Sequence, residues 1–296
     1  AAPGVSVGTK LPATLRETPH SVSVITRQQI EDQNLHTLDE IMAQTPGVTV
    51  DLSGTGVIPA FYARGYPIEY FQYDGLPVQT GGASWSQPDM VMFDHVETLR
   101  GAAGLFNGAG QPGGVINLVR KRPTGDRRFT GSLGLGSWNA ARAEIDYSTP
   151  LNADGSVRAR LAAAHDQRDS HVRYASSRRD SLYGIVEADL GSATTVSLGA
   201  GHQTRDWVPP MMGVPRYADG GDLGLARSTF LSTPWTHWDF EATQVFADLS
   251  HSINADWQFK LAAVSDRESS ALKYAYVSGA VDLSLIHISE PTRLGM

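Results

Sequence analysis

The chain has 296 residues, with 24 basic against 31 acidic side chains, a formal net charge of -7 and no cysteine. An acidic balance argues against a protein built to neutralise phosphates, so no nucleic acid is expected as a partner; the missing cysteines exclude disulfides, thiolate metal sites and cysteine nucleophiles. No stretch approaches the roughly 20 consecutive apolar residues of a spanning helix, which leaves a β-barrel open because its alternating strands give only a weak hydropathy signal.

The length allows two structural units, and 30 glycines with 16 prolines point to turn-rich β structure. The opening AAPGVSV has neither a basic region nor an apolar run, so an export signal is expected to have been removed or to lie upstream. In HSVSVIT, Val22 and Val24 alternate with Ser21 and Ser23, the pattern of a half-buried strand. Thr26 with Gln29 predicts a capping box opening a helix over RQQIEDQ, and Thr37 with Glu40 predicts a second over LDEIMAQ, stopped by Pro46-Gly47. Strand, helix, helix and then strands up to about Pro123 is an α+β pattern.

After Pro123 long alternating segments take over. Ala143, Ile145 and Tyr147 share one face and Arg142, Glu144 and Asp146 the other; Leu182, Val186 and Ala188 oppose Glu187 and Asp189. Val196, Leu198 and Ala200 form another apolar face, as do Trp257, Phe259, Leu261 and Ala263. Segments of about 9 to 11 residues suit tilted membrane strands, and short turns alternate with longer connections as barrel rims do. A soluble β-sandwich also alternates, so this pattern leaves both open.

Chemical motifs are few. Gly108, Gly110 and Gly113 spell GxGxxG, but Pro112 lies inside the run and VINLV reads as a strand, so a backbone-dense loop is expected rather than a dinucleotide site. The nine histidines show no metal-binding pair, and neither GxSxG nor HExxH occurs. No enzyme, metal site or cofactor is expected.

Four ordered stretches carry a resemblance: TPHSVSVITRQQIEDQ with LDEIMAQTPGV, FYARGY, YDGLP, and DHVETLRGAAGLFNGAGQPGGVINLVRKRP. They resemble the plug of TonB-dependent siderophore receptors, and GSWNAARAEIDYSTPLNADGSVRARLAAAHDQRDS with YGIVEADLG resembles the early barrel of receptors for ferric coprogen and ferripyoverdine. The resemblance implies an α+β plug (16–124) after an N-terminal extension (1–15), then an incomplete antiparallel transmembrane β-barrel (125–282), the first seven or eight of about 22 strands. It implies an outer-membrane receptor for a ferric siderophore of hydroxamate or mixed type, with outer-membrane lipid and the TonB energy-coupling protein as partners. No clear TonB box is present. LSLIHISEPTR (Leu283 to Arg293) resembles the in-frame translation of a sequencing-library adapter, so 283–296 are expected to be a non-native tail; a natural loop is the alternative. An unclosed membrane sheet would leave edge groups unpaired in lipid, so the chain is not expected to transport alone.

The resemblance also assigns roles. Arg64 matches a ligand-contacting arginine, the alternative being a structural pair with a barrel carboxylate. Gln79 and Trp85 fall near the next apical loop. Tyr174, Trp207 and Trp235 sit in outer connections, as ligand walls or membrane-interface anchors. Glu97, Arg100, Arg120 and Arg122 are expected to pair the plug with the barrel. A receptor for haem, catecholate siderophore or cobalamin is the alternative within the fold, with His171 and His237 as the outer-loop histidines for haem. A soluble adhesin or binding module is the alternative outside it.

Overall fold

Alternation in HSVSVIT becomes strand β1 (Ser21–Ile25), and the next residues turn helical because their first amides are capped. Thr26 Oγ1 accepts from Gln29 N at 3.3 Å while Gln29 Oε1 accepts from Thr26 N at 3.1 Å, opening α1 (Arg27–Asp32). The Glu40 carboxylate does the same for α2 (Leu38–Gln44), accepting from Thr37 N at 3.1 Å and His36 N at 2.6 Å. Leu38, Ile41 and Met42 form its buried face, and Gly47, at φ 75°, ends it. The computed structural model describes residues 5, 7, 14, 16–18, 20–52, 58–78, 86–102, 112–210, 215–275 and 280–281; the predicted tail at 283–296 lies outside them.

A three-stranded sheet follows from β2 (Val48–Asp51), β3 (Ala60–Ala63) and β4 (Tyr66–Pro67). A five-stranded sheet has the order β1-β7-β8-β5-β6, with β5 (Tyr70–Tyr73), β6 (Leu76–Val78), β7 (Phe93–Arg100) and β8 (Gly114–Arg120). Only the β5–β8 pairing in it is parallel. Arg64-Gly65 and Asp74-Gly75 turn the two hairpins with positive φ at both residues, the backbone that a two-residue hairpin loop demands. The glycine-rich run ends as a close backbone approach: a Cβ on Gly113 would collide with the Pro67 carbonyl, and one on Gly114 with that of Leu99. VINLV lies in β8 as expected, so no helix follows the glycines.

Seven antiparallel strands form the second unit: β9 (Arg128–Leu135), β10 (Ala141–Pro150), β11 (Val157–Asp169), β12 (Ser176–Asp189), β13 (Thr194–Val208), β14 (His237–Ser252) and β15 (Gln258–Lys273). Each pairs with its sequence neighbours, and β9 and β15 are both edges. Strands β11 to β15 run from 13 to 16 residues, longer than the membrane span predicted from alternation, whereas β9 has 8 and β10 has 10. Pairing continues past the apolar segment into polar sequence such as Gln203 to Trp207, where alternation of hydropathy has faded but ladder hydrogen bonds persist.

The apolar and charged faces separate as the sequence indicates, but the apolar face is the open one. Leu198 is 60% exposed beside Ser197 at 3%. Ile145, Leu161, Leu182, Val186, Val245 and Leu261 are likewise exposed. A sandwich would bury that face against a second sheet; here the opposite, polar face is covered by the α+β unit. Ala162, Ala164, Tyr183, Ile185 and Phe246 of the long sheet join one core with Ile30, Ile41, Phe71, Met90, Phe93 and Ile116. The soluble-sandwich alternative is therefore set aside.

An exposed apolar band of this extent should make the chain aggregate in plain buffer and become monodisperse in detergent. Size-exclusion chromatography with light scattering checks this. A monodisperse monomer without detergent would contradict the outward-facing assignment.

Candidate functional site

The α+β unit docks on the charged face of the long sheet through buried ion pairs. Asp89 follows Pro88, and its carboxylate accepts from Val91 N at 2.9 Å as the N-cap of a single 3-10 turn (Met90–Met92). It also accepts two hydrogen bonds from Arg142 of β10, at 2.8 and 2.9 Å. Burial would raise the Asp89 pKa, but the Arg142 hydrogen bonds and charge, with that of Arg179, outweigh it and hold the carboxyl low. Gln203 of β13 completes the contact, accepting from Asp89 N at 2.8 Å and donating to Ser86 O at 3.0 Å.

Below this lies the basic run Arg120-Lys121-Arg122. Lys121 pairs with Asp146 at 2.6 Å, and Arg160 holds the same carboxylate at 2.8 Å. Tyr183 donates its hydroxyl to Lys121 O at 2.7 Å. Arg122 pairs with Asp248 at 3.1 Å and approaches Glu187 at 3.7 Å, both on the long sheet. Arg120 behaves differently: its ion pair is with Asp74 at 2.5 Å, within its own unit, while it donates to Gln244 of β14 at 2.8 Å and lies over the Phe246 ring at 4.0 Å. A small cavity of about 40 Å³ remains here, lined by Tyr73, Ser86, Arg120, Gln203, Gln244 and Glu268.

Two expected bridges need correction. Among the described residues Glu97 forms no ion pair with the long sheet; it is fully buried inside the α+β unit, accepting from Val7 N at 2.9 Å and Asn117 Nδ2 at 3.0 Å and facing His95 Nε2 at 3.3 Å. Arg100 donates to the Pro46 carbonyl at the end of α2, again within its own unit. Both lie on β7, flanked by β1 and β8 and so kept from the long sheet. Asp89, Lys121 and Arg142 were missed as bridging residues; Lys121 was readable from its place between two nominated arginines, whereas Asp89 carried only a proline before it.

Arg64 is exposed at the tip of its own hairpin in the α+β unit, φ 53°, with its guanidinium beside Gly101. At the rim of the longer connections the nominated aromatic residues are partly gathered. Gln79 and Trp85 lie outside the described residues. Trp207 faces inward, stacked on Trp238 at 5.6 Å with the Arg205 guanidinium 3.9 Å over its ring; Trp238 stacks in turn on Phe240 at 5.0 Å. Tyr174 meets Phe230 edge-on at 5.7 Å, and exposed Trp235 has Lys273 over its ring at 5.1 Å. His171 packs edge-on to Trp138, and His237 accompanies Trp235 O and Asp239. Sequence reading overlooked Trp238, Phe240 and Arg205, all at inward-facing positions of β13 and β14. Among the described residues no group of three potential ligands could hold a metal ion.

A family model described as the TonB-dependent receptor plug domain matches residues 14–115. The ferric-pyoverdine M114 receptor of Pseudomonas sp. (strain M114) is 42% identical over 284 residues, 94% of this chain and 34% of that protein. The ferripyoverdine receptor of Pseudomonas aeruginosa is 38% identical over 266 residues, 87% of this chain and 32% of that protein. A crystal structure of the outer-membrane ferripyoverdine receptor of Pseudomonas aeruginosa superposes with TM-score 0.86 at 34% identity, over 94% of this chain and 38% of that one. The chain is the plug and part of the barrel wall of a TonB-dependent receptor. It spans about a third of the length of the curated relatives it matches, and its exposed apolar face suits a wall that meets lipid.

Two predictions follow from the plug–wall geometry. Arg142→Met leaves Asp89 buried without its two hydrogen bonds and with only Arg179 at 4.0 Å as counter-charge, so it should loosen plug docking by up to about 3–5 kcal/mol. Hydrogen exchange at Met90 to Met92 would report this, and Arg142→Met with Asp89→Asn should recover most of the loss; unchanged protection in the single variant would contradict it. The second concerns His95, which burial alone would depress but hydrogen bonds to Asp94 and Glu97 raise to about 9. A raised folded pKa means its stabilisation is complete below about 6.5, the ordinary histidine value, and is lost as pH rises through about 9. Thermal melts should show stability falling over that window in the parent chain and less so in His95→Gln; parallel pH profiles would contradict the assignment.

Proposed function

We propose that this chain is part of an outer-membrane receptor that takes up a ferric siderophore of hydroxamate or mixed type, in the manner of pyoverdine, with TonB as the energy-coupling partner. Iron(III) is a hard ion already enclosed by siderophore oxygens, so such a receptor reads the outer surface of the complex and needs no iron ligands of its own. A largely apolar complex with a few exposed oxygens suits aromatic walls with sparse donors. The observation that carries the reading is the inward aromatic stack Trp207–Trp238–Phe240 at the rim of the long connections, in a chain whose relatives are named as ferric-pyoverdine receptors. Tyr174 with Phe230 extends that wall, Trp235 stands where the 209–236 connection rejoins it, and Arg64 supplies five donors and a fixed charge. Gln79 and Trp85 are carried as further contacts by their place after YDGLP.

Coupling requires the inner side of the plug to respond. Val7, held by Glu97 through its amide, is a described part of the N-terminal segment on which a pull would act. Ligand at the outer rim and release of that segment would have to be linked as one two-state change.

In the parent receptor, Arg64→Ala should weaken ferripyoverdine binding by about 1.5–3 kcal/mol, the range for a charged hydrogen bond. Arg64→Lys should also lose affinity if the planar fork is used. Equilibrium binding followed by fluorescence quenching measures both. Unchanged affinity in a folded Arg64→Ala variant would overturn the role of Arg64, and no ferripyoverdine binding by the parent would overturn the ligand class.

A further inference from the structure

Arg179 of β12 and Arg205 of β13 stand directly opposite one another in the ladder, on the inward face, 3% and 6% exposed. Like charges directly opposite on neighbouring strands repel, and burial removes the water that would screen them. Asp39 and Asp166 are close enough to act on Arg205 through their charge, but neither lies within ion-pair distance of Arg179 or Arg205. Asp89 lies 4.0 Å from Arg179 but is already committed to both hydrogen bonds from Arg142. Asp166 occupies the ladder position between Arg142 and Arg179 and forms no ion pair with either among the described residues. Arg205 has no ion-pair partner among the described residues; it donates Nε to Ser177 Oγ at 3.3 Å and lies on the Trp207 ring. Arg179 Nε is buried with no acceptor.

Residues 53–57, 79–85, 103–111 and 211–214, which lie outside the described set, contain no Asp or Glu. Two buried guanidiniums facing each other without a carboxylate of their own make an arrangement that is costly when empty of anion and well matched to one when filled.

We propose that Arg179 and Arg205 form a binding site for one oxyanion, a carboxylate or phosphate group, gripped between two planar guanidiniums on the inner wall towards its outer rim. The fork of each arginine matches the oxygen spacing of such a group. Ser177 fixes the Arg205 head, and the Trp207 ring closes one side of it. The oxyanion has two sources of the same chemistry: a free inorganic ion, or an acidic group on the entering ferric complex. The second source deepens the proposed uptake function; the site itself does not depend on it.

The test uses the parent receptor in detergent and inorganic phosphate as probe, at constant ionic strength set with chloride. Phosphate should raise the melting temperature saturably and change the tryptophan emission, because Trp207 touches Arg205. Arg179→Gln and Arg205→Gln should each weaken the phosphate response at least tenfold. Without phosphate they should melt at or above the parent temperature, since each relieves repulsion. No saturable phosphate response in the parent would overturn the proposal. So would a lowered melting temperature of Arg205→Gln without phosphate, which would mean that a carboxylate elsewhere in the parent receptor already neutralises the pair. A ferric siderophore with a free carboxylate and its methyl ester then separate the sources. Competition with phosphate by the acid alone assigns the site to the ligand, and competition by neither assigns it to a free ion. The phosphate titration contains no siderophore, so its outcome is independent of the uptake reading.

Discussion

Every feature of this chain follows from a sheet that turns its polar face inward and its apolar face to lipid. In a soluble sheet the charged face meets water and needs no partners. Here Arg142, Asp146, Glu187 and Asp248 sit on a covered face, and each charge must find an opposite one nearby or remain a desolvation cost. The plug supplies many of them, and the wall answers with Arg142 to Asp89, Asp146 to Lys121 and Asp248 to Arg122. Docking by pairing rather than by apolar contact alone explains why the basic run Arg120-Lys121-Arg122 ends β8 where the plug meets the wall.

Such an interface is specific and yet separable. Buried ion pairs contribute little net stability against an apolar replacement, because desolvation offsets much of the attraction, but removing one partner is severe. A plug held this way has a fixed position that depends on many pairs at once. The Glu97 carboxylate is a comparable joint inside the plug, binding Val7 N, Asn117 and His95 together.

Local structure was legible in the sequence wherever a short-range rule governed it. The Thr26 and Thr37 caps, the strand at Val22 and Val24, the loop reading of Gly113 and the alternation of Ile145 and Tyr147 needed only neighbours within a few residues. Strand lengths were read short, since ladder hydrogen bonds continue where hydropathy no longer alternates. The site was less legible because a charge in sequence does not reveal which surface it meets. Glu97 and Arg100 look as exposed as Arg122 in a string of letters, yet β1 and β8 flank β7 and hold both within the plug. Asp89 and Arg142 are far apart in sequence, and their pairing exists only once the plug lies on the wall.

The most direct test of the central claim uses the absence of cysteine in this chain. Single cysteines at Ser197, Leu198, Ala200 and Gly201 of β13, labelled with an environment-sensitive fluorophore in the parent receptor reconstituted into vesicles, report which face meets lipid. Brominated lipid should quench the label at 198 and 200 strongly and at 197 and 201 weakly, a period of two with the apolar positions outward. Uniform quenching, or quenching at 197 and 201 instead, would contradict a wall whose polar face is covered by the plug.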